Sequence, residues 1–401
     1  MKESILNVPN LRFPGFEGEW ESRKLSTYLY ENKERNRAGE FNKSDVLSVS
    51  GDCGIVNQIE LLGRSFAGKS VADYHIVRTG NIVYTKSPLK EYPYGIVKYN
   101  SGKDGIVSTL YAVYHHRENV NGRFVEHYFT SPQRTNRYFK PIVRIGAKHD
   151  MKIGNNEVLD NTVLFPNLEE QNKITELLDL LNQRIAIQSK VIEDLKKLKA
   201  ALCTSLFSQG RTISVALSDI GESFSTMNLS KEDLTDSGVE CILYGELFTT
   251  YGRVIKDVKS HTSLETNGES TTSGLNDLLF PASTTVDAIS LIAPSAISKT
   301  GVILGGDMFG IRLNAKYNNR YMSNLLYHCY RRELASYAQG STIIHIHYRD
   351  IERIKITVHP KNIQDCIADI LDLLDSRIEN EQNTAAAYAC QKAYLIGRLF
   401  I

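Results

Sequence analysis

Residues Pro166–Ser208 read PNLEEQNKITELLDLLNQRIAIQSKVIEDLKKLKAALCTSLFS, and this stretch decides the fold. Its apolar residues, from Ile174, Leu177, Leu178, Leu181 and Ile185 through Val191, Ile192, Leu195, Leu198, Leu202 and Leu206, recur every three or four positions, the spacing of one helical face. Asn167 is a good N-cap, Glu170 three residues later completes a capping box, and Gln209-Gly210 gives a stop. At ~1.5 Å per residue, such a helix of about 40 residues reaches ~60 Å. The pattern occurs twice. A shift of 193 lays Ile174–Phe207 on Ile367–Phe400 without a gap, with 12 identities in 34 positions, including DLL, the Arg-Ile pair and the closing Leu-Phe. Unrelated residues of average composition would match about twice. A proline precedes both copies, Pro166 and Pro360. The chain therefore reads as globule, long helix, globule, long helix.

The 401 residues suffice for two or three domains, and 42% hydrophobic with 23% charged is ordinary soluble composition. No apolar run reaches the ~18 residues of a membrane span, and Met1–Asn10 has no signal-peptide core. Six scattered cysteines without a CxxC predict reduced thiols in a cytoplasmic protein, not a disulfide framework or a zinc cage. The net charge of +1 announces no polyanion partner, but its distribution says more. Residues 1–165 carry 23 Lys+Arg against 18 Asp+Glu, whereas residues 209–359 carry 14 against 16. A positive first globule suits a polyanion. Any DNA contact in the second must rest on a local patch.

Along the chain, Tyr74–Val77, a turn at Thr79-Gly80 and Ile82–Lys86 read as a hairpin, and Val125–Phe139 as one short helix ending near Pro141. Val143–His149 reads as a basic loop and Thr162–Phe165 as a last strand before the helix. In the second half Leu217-Ser218 matches Leu25-Ser26, Tyr321–Tyr337 looks helical, and Gln339–Ile343 forms a glycine loop before the strand Ile354–Val358. The same order in both halves points to duplication with divergence.

Several stretches look like those of a known family: LRFPGFEGEWE (Leu11–Glu21), YHIVRTGNIVY (Tyr74–Tyr84), PNLEEQNKI (Pro166–Ile174), Tyr244-Gly245-Glu246-Leu247, Thr249-Thr250-Tyr251-Gly252 and AQGSTI (Ala338–Ile343). Over essentially its whole length the chain resembles the specificity subunits of type I restriction–modification systems. The distal copy departs from the family's Pro-x-x-x-Glu-Gln signature, because Pro360-Lys-Asn-Ile-Gln-Asp lacks the Glu-Gln pair, and Gly397 puts the end of its helix in question. The resemblance implies an α+β (mixed α/β) fold: two target-recognition globules with mixed sheets (1–165 and 209–359), separated by two long helices (166–208 and 360–401) paired as an antiparallel coiled coil, in a pseudo-two-fold internal repeat. A lone amphipathic helix has nowhere to bury its stripe, so the two stripes most simply bury each other. The pairing residues expected are Ile174, Leu178, Leu181, Ile185, Leu195 and Leu202 against Ile367, Leu371, Leu374, Ile378 and Leu395. By the same resemblance, each globule reads half of a split, asymmetric site in double-stranded DNA. The helices bind two methyltransferase subunits, and restriction (translocase/nuclease) subunits join for cleavage. S-adenosylmethionine, ATP and Mg belong to those partners, with no cofactor in this chain.

For direct readout, Arg and Lys suit guanine, Asn and Gln suit adenine, and Lys suits phosphate. In the first globule the DNA contacts expected are Arg64, Lys69, Lys86, Arg144, Lys148 and His149; in the second, Tyr251, Arg253, Lys299, Ser341 and Thr342. An ordinary solvated charge is the plain reading of any one of them. Gly63-Arg-Ser-Phe-Ala-Gly68-Lys69-Ser70 also matches GxxxxGK[ST], and the alternative function is a P-loop nucleotide-binding enzyme. That motif needs a following helix, where Val71–Tyr84 carries Thr79-Gly80 and strand-like residues, so a basic surface loop is preferred. His345-Ile-His347 places two imidazoles on one strand face without a third ligand assigned by spacing, so no metal is expected. No nucleophile triad has a local signature, and the Asn/Asp-Pro-Pro-Tyr type of methyltransferase motif is absent from the sequence. Methylation, if it occurs, belongs to another chain. A purely structural coiled-coil scaffold is a third reading, which leaves two large divergent globules without a role.

Overall fold

The computed structural model describes residues 7–145, 151–264 and 272–401. The chain divides into two compact units, residues 1–188 with 384–401, and residues 189–383. The division cuts through both long helices instead of falling at their ends, so each unit owns half of each helix; the sequence boundaries grouped the chain by secondary structure, whereas compactness groups it this way.

In the first unit, strand Glu21–Lys24 pairs antiparallel with Thr162–Phe165. A four-stranded antiparallel sheet follows in the order Leu29–Glu31, Tyr111–His116, Ile82–Thr85, Val97–Tyr99. The expected hairpin is absent: His75–Val77 pairs with Gly105–Val107, and Ile82–Thr85 enters the other sheet. Asn81 Oδ1 takes the Arg78 amide at 2.8 Å, and Asp104 Oδ1 takes the Thr79 amide at 2.7 Å. These bonds anchor the Arg78–Asn81 turn to side chains, and every residue of both strands is buried. The expected single helix is two, Gly122–Tyr128 and Pro132–Phe139. Pro132 has no N–H to continue the first helix; it opens the second at N1, with Ser131 as cap. An aromatic core of Trp20, Tyr84, Phe124, Phe129, Phe139 and Phe165 fills the space beneath.

The second unit repeats this scaffold. Ile213–Ala216 pairs antiparallel with Lys355–Val358, and the main sheet runs Gly221–Ser225, Met308–Leu313, Asp277–Pro281, Ser295–Ile297, Val254–Ile255. The first four strands correspond in order to those of the first unit; the fifth is an addition, paired in parallel. Among the described residues, a separate four-stranded sheet (Leu234–Thr235, Ser260–Thr262, Val239–Leu243, Ile303–Gly305) is found in this unit and not in the first. The expected helix Tyr321–Tyr337 is again two, Asn319–Cys329 and Arg331–Ala335.

The central helix spans Leu168–Ser208 and the distal helix Lys361–Arg398, passing through Gly397. In the first unit Ile174 and Leu178 share a core with Ile396, Leu399 and Phe400, while farther on Arg184 Nε donates to Tyr388 Oη at 3.2 Å. In the second, Lys199 Nζ meets Asp375 at 2.6 Å, while Cys203 and Phe207 share a core with Ile367, Ala368 and Leu371. In both units rising numbers on one helix meet falling numbers on the other, so the helices pack antiparallel. Ile174, Leu178, Ile367, Leu371 and Ile378 are buried, and Leu181, Ile185, Leu195, Leu202, Leu374 and Leu395 half-buried. Four of these, Ile174, Leu178, Ile367 and Leu371, also pack into the cores of the units, so the stripes do more than cover each other. Leu198, on the expected stripe, is exposed.

The repeat extends to single hydrogen bonds. Gln171 Oε1 accepts from the Asn121 amide at 3.0 Å, and Gln364 Oε1 from the Asn318 amide at 2.9 Å. Gln171 Nε2 reaches the Pro166 carbonyl and Gln364 Nε2 the His359 carbonyl. Arg123 pairs with Asp179, and Arg320 with Asp372. Each long helix is thus locked to the N-terminus of a shorter one by matching residues. The distal copy therefore keeps the glutamine of its signature, as Gln364, and has Ile363 in place of the glutamate. Glu170 has a separate task. The Asn167 side chain caps the helix by accepting the Glu170 amide, but the Glu170 carboxylate does not close a capping box. It takes Arg12 Nε at 2.8 Å and Nη2 at 2.7 Å, with Trp20 Nε1 at 3.4 Å, and so fastens the Leu11–Glu21 lead-in.

Candidate nucleic-acid interface

The Gly63–Ser70 loop follows a short helix, Gln58–Leu62, which Asn57 caps and Gly63 ends at φ +75°. Glycine reaches that left-handed conformation without the Cβ penalty. After Ser70 no helix begins; the next regular element is the strand His75–Val77. The helix lies on the wrong side of the loop for phosphate cradling, and the P-loop reading falls. Gln58 Oε1 instead accepts the Phe66 amide at 2.7 Å and holds the loop closed. Arg64 lies 4.6 Å over the Phe66 ring, which is 58% exposed, and Lys69 is exposed nearby. An exposed arginine–aromatic pair offers both charge and a stacking face. Phe66 escaped the sequence reading; aromatic interleaving within a basic loop was the available signal.

Arg144 is exposed on the short strand Arg144–Ile145, paired with Met151–Lys152. Lys148 and His149 lie outside the described residues. Lys86 is placed otherwise than expected: its ammonium donates to the Ile153 carbonyl at 2.8 Å and to Asn155 Oδ1 at 2.7 Å, and burial lowers its pKa. A lysine so engaged ties the 151–157 segment to the sheet. At the sheet edge, Tyr30 is 44% exposed, stacks on His115 at 5.1 Å and carries Arg117 5.1 Å over its ring.

In the second unit, Ser341 and Thr342 are exposed at the tip of a tight turn. The Gln339 and His345 backbones bond each other at 2.8 and 2.7 Å, and Gly340 sits at φ +113°, where a Cβ would lie 2.0 Å from the Ile343 carbonyl oxygen. Strand Ile344–His345 then pairs with Ser283–Thr284. Lys299 is engaged by Glu240 at 2.6 Å, and Tyr251 Oη accepts the Lys259 amide at 3.0 Å. Arg253 Nη1 donates to the Pro294 carbonyl at 2.7 Å, and its guanidinium lies 4.2 Å over the Tyr327 ring. His345 and His347 stack at 6.4 Å, with His345 Nδ1 3.7 Å from Asp307. Among the described residues no group of three His, Cys, Asp or Glu side chains is arranged to hold a metal.

Residues 214–387 match the family model of the type I restriction modification DNA specificity domain. That stretch, somewhat under half of the chain, is similar to a type I DNA specificity domain. The match spans most of the second unit and takes in its turn at Gly340 and most of the distal helix. Known structures extend the likeness to the specificity-subunit fold as a whole. The type I restriction–modification system S subunit from M. genitalium is 14% identical, with a TM-score of 0.59, covering 98% of this chain and 99% of that one. A chain solved for complex assembly and conformational transition of the type I R-M system gives 14% and 0.55 over the same shares. At this identity the likeness is one of fold: a mixed α/β, two-domain architecture in which the central and C-terminal long helices pack together. No curated protein sequence matches the chain. DNA sequence recognition is the activity that the specificity-domain family supports.

Proposed function

We propose that this chain is the non-catalytic recognition subunit of a type I restriction–modification complex. It binds a bipartite, asymmetric duplex target, one unit per half-site, and the two long helices recruit two methyltransferase subunits. Those partners carry S-adenosylmethionine, and restriction subunits with ATP and Mg join for cleavage, all in the cytoplasm.

One observation supports this above the others. The two units share strand order and the Gln171/Gln364 joint, residue for residue, yet differ in what they mount on that scaffold. The first carries the Arg64–Phe66 loop, the second an extra sheet and the Ser341–Thr342 turn. Equal scaffolds with unlike outer loops suit two readers of unlike words, as loops on rigid frames commonly carry specificity. In this reading Arg64, Phe66, Lys69 and Arg144 serve the first half-site and Ser341 and Thr342 the second, while Lys86, Tyr251 and Lys299 support the fold. Methylation mapped across random duplexes with the chain and its methyltransferase partner tests it. Two separated words support the reading; methylation without sequence preference overturns it.

A further inference from the structure

The second unit holds a cleft of about 710 Å³ between the Ser283–Thr285 segment and the helices around Tyr327. Two cations lie over Tyr327: the Arg253 guanidinium stands 4.2 Å from its ring centroid and that of Arg331 4.5 Å. Both arginines are fixed. Arg253 donates to the Pro294 carbonyl, while the Ser323 hydroxyl and the Ala296 amide hold its own carbonyl. Arg331 donates through Nε to the Ile289 carbonyl at 2.9 Å and through Nη1 to Tyr327 Oη at 3.2 Å. Among the described residues neither guanidinium has a carboxylate partner within salt-bridge distance; Asp307, the acid lining the same cleft, faces His345 instead.

Buried or half-buried arginines are ordinarily paired. Two on one ring, with no carboxylate within salt-bridge distance, concentrate positive charge in a concave site where the fields of the two add; Asp375 and Asp287 reach Arg253 and Arg331 only through longer-range charge. Burial, with Arg331's charge adding to it and Tyr327 and Asp375 opposing it, pushes the Arg253 pKa down to about 10. The exposed Thr285 hydroxyl on the facing wall adds a neutral donor. The acidic balance of residues 209–359 makes such a patch necessary if this unit is to hold a polyanion at all.

We propose that Arg253, Tyr327 and Arg331 form a phosphate subsite in this cleft that takes a phosphodiester of the DNA backbone beside the second half-site. This rests on the reading of the second unit as a DNA binder. Arg331 supplies the directed donor, Arg253 the buried charge, and Tyr327 the spacer that keeps both guanidinium planes fixed, which suits the planar donor fork of arginine.

The test is the affinity of the full chain for its selected duplex from 50 to 200 mM KCl, comparing the parent with Arg331→Ala and Arg331→Lys. Arg331→Ala is expected to bind roughly tenfold more weakly at 50 mM, with a salt slope smaller by about one. Arg331→Lys keeps the slope and recovers part of the affinity. On a duplex with a neutral methylphosphonate at the contacted position, parent and Arg331→Ala converge. Parent-like affinity and slope in Arg331→Ala, with sequence selection intact, overturn the subsite and leave the DNA reading standing. Loss of all DNA binding by the parent overturns both. Thermal stabilisation by inorganic phosphate that depends on Arg331, without any effect on DNA, assigns the cleft to a free anion and overturns the backbone contact.

Discussion

Arg12 and Glu170 show how much one side chain can decide. Glu170 is 1% exposed and carries a bidentate guanidinium. Arg12→Ala strands a buried carboxylate, and a loss of about 3–5 kcal/mol in urea unfolding is expected. Glu170→Gln, which removes the charge but keeps polar contacts, should cost less. His75 offers a pH test. It is 1% exposed, neither ring nitrogen has a partner among the described residues, and burial lowers its pKa to about 4. The unfolded chain, with an ordinary imidazole near 6.5, binds the proton first. Stability is therefore full above pH 6.5 and falls by roughly 3 kcal/mol as pH drops through 4. His75→Leu is expected to flatten the urea midpoint over that window; an acid limb parallel to the parent's would contradict it. Asp179 acts lower on the scale. Burial raises its pKa, but hydrogen bonds from His127 and Arg123 outweigh that and leave it lowered. Its contribution is present above the ordinary carboxylate range and lost as pH falls through its own lowered value. At this scale the sequence is least legible: the expected capping-box glutamate is an anchor, and Lys86 an internal tie, because both find partners far along the chain.

Elements were legible where the signal is local. The Asn167 cap, the strand Thr162–Phe165 and the two long helices follow from short-range pattern, and the structure has them. The hairpin at Tyr74–Lys86 and the single helix Val125–Phe139 failed for physical reasons. The former is two strands buried in different sheets, which spacing alone cannot separate; the latter is broken by Pro132, a residue that could have been read as the start of a new helix. The matched joints make a paired prediction. Gln171→Ala and Gln364→Ala each remove a bond to a helix N-terminus and two to carbonyls, from sites 0% and 1% exposed. Each is expected to cost about 1–3 kcal/mol, similar in the two units. A large loss from one with none from the other, in urea unfolding, would mean that the two joints are not equivalent.

For the whole molecule, the repeat of 193 residues carried the architecture, because twelve identities in register survive where the loops have diverged. Where DNA lies was much less legible. The distribution of charge points to residues 1–165, and the arginine pair on Tyr327 becomes visible only when Arg253 and Arg331, 78 positions apart, meet on one ring. Lys69→Ala discriminates the discarded nucleotide enzyme from the DNA reader: DNA affinity should fall uniformly across sequences, with a salt slope smaller by about one. Nucleotide binding lost with Lys69 would instead revive the enzyme.

The central claim, two unlike readers on one repeated frame, is tested most directly by selecting duplexes from a random library with the complex of this chain, parent and Gly340→Ala in parallel. Gly340 sits at φ +113° under the Ser341–Thr342 tip, so alanine there displaces only the second unit's turn. Two short words at one constant separation are expected for the parent, and for Gly340→Ala one word blurred with the other intact. A single uninterrupted word, or both words blurred together, would contradict it.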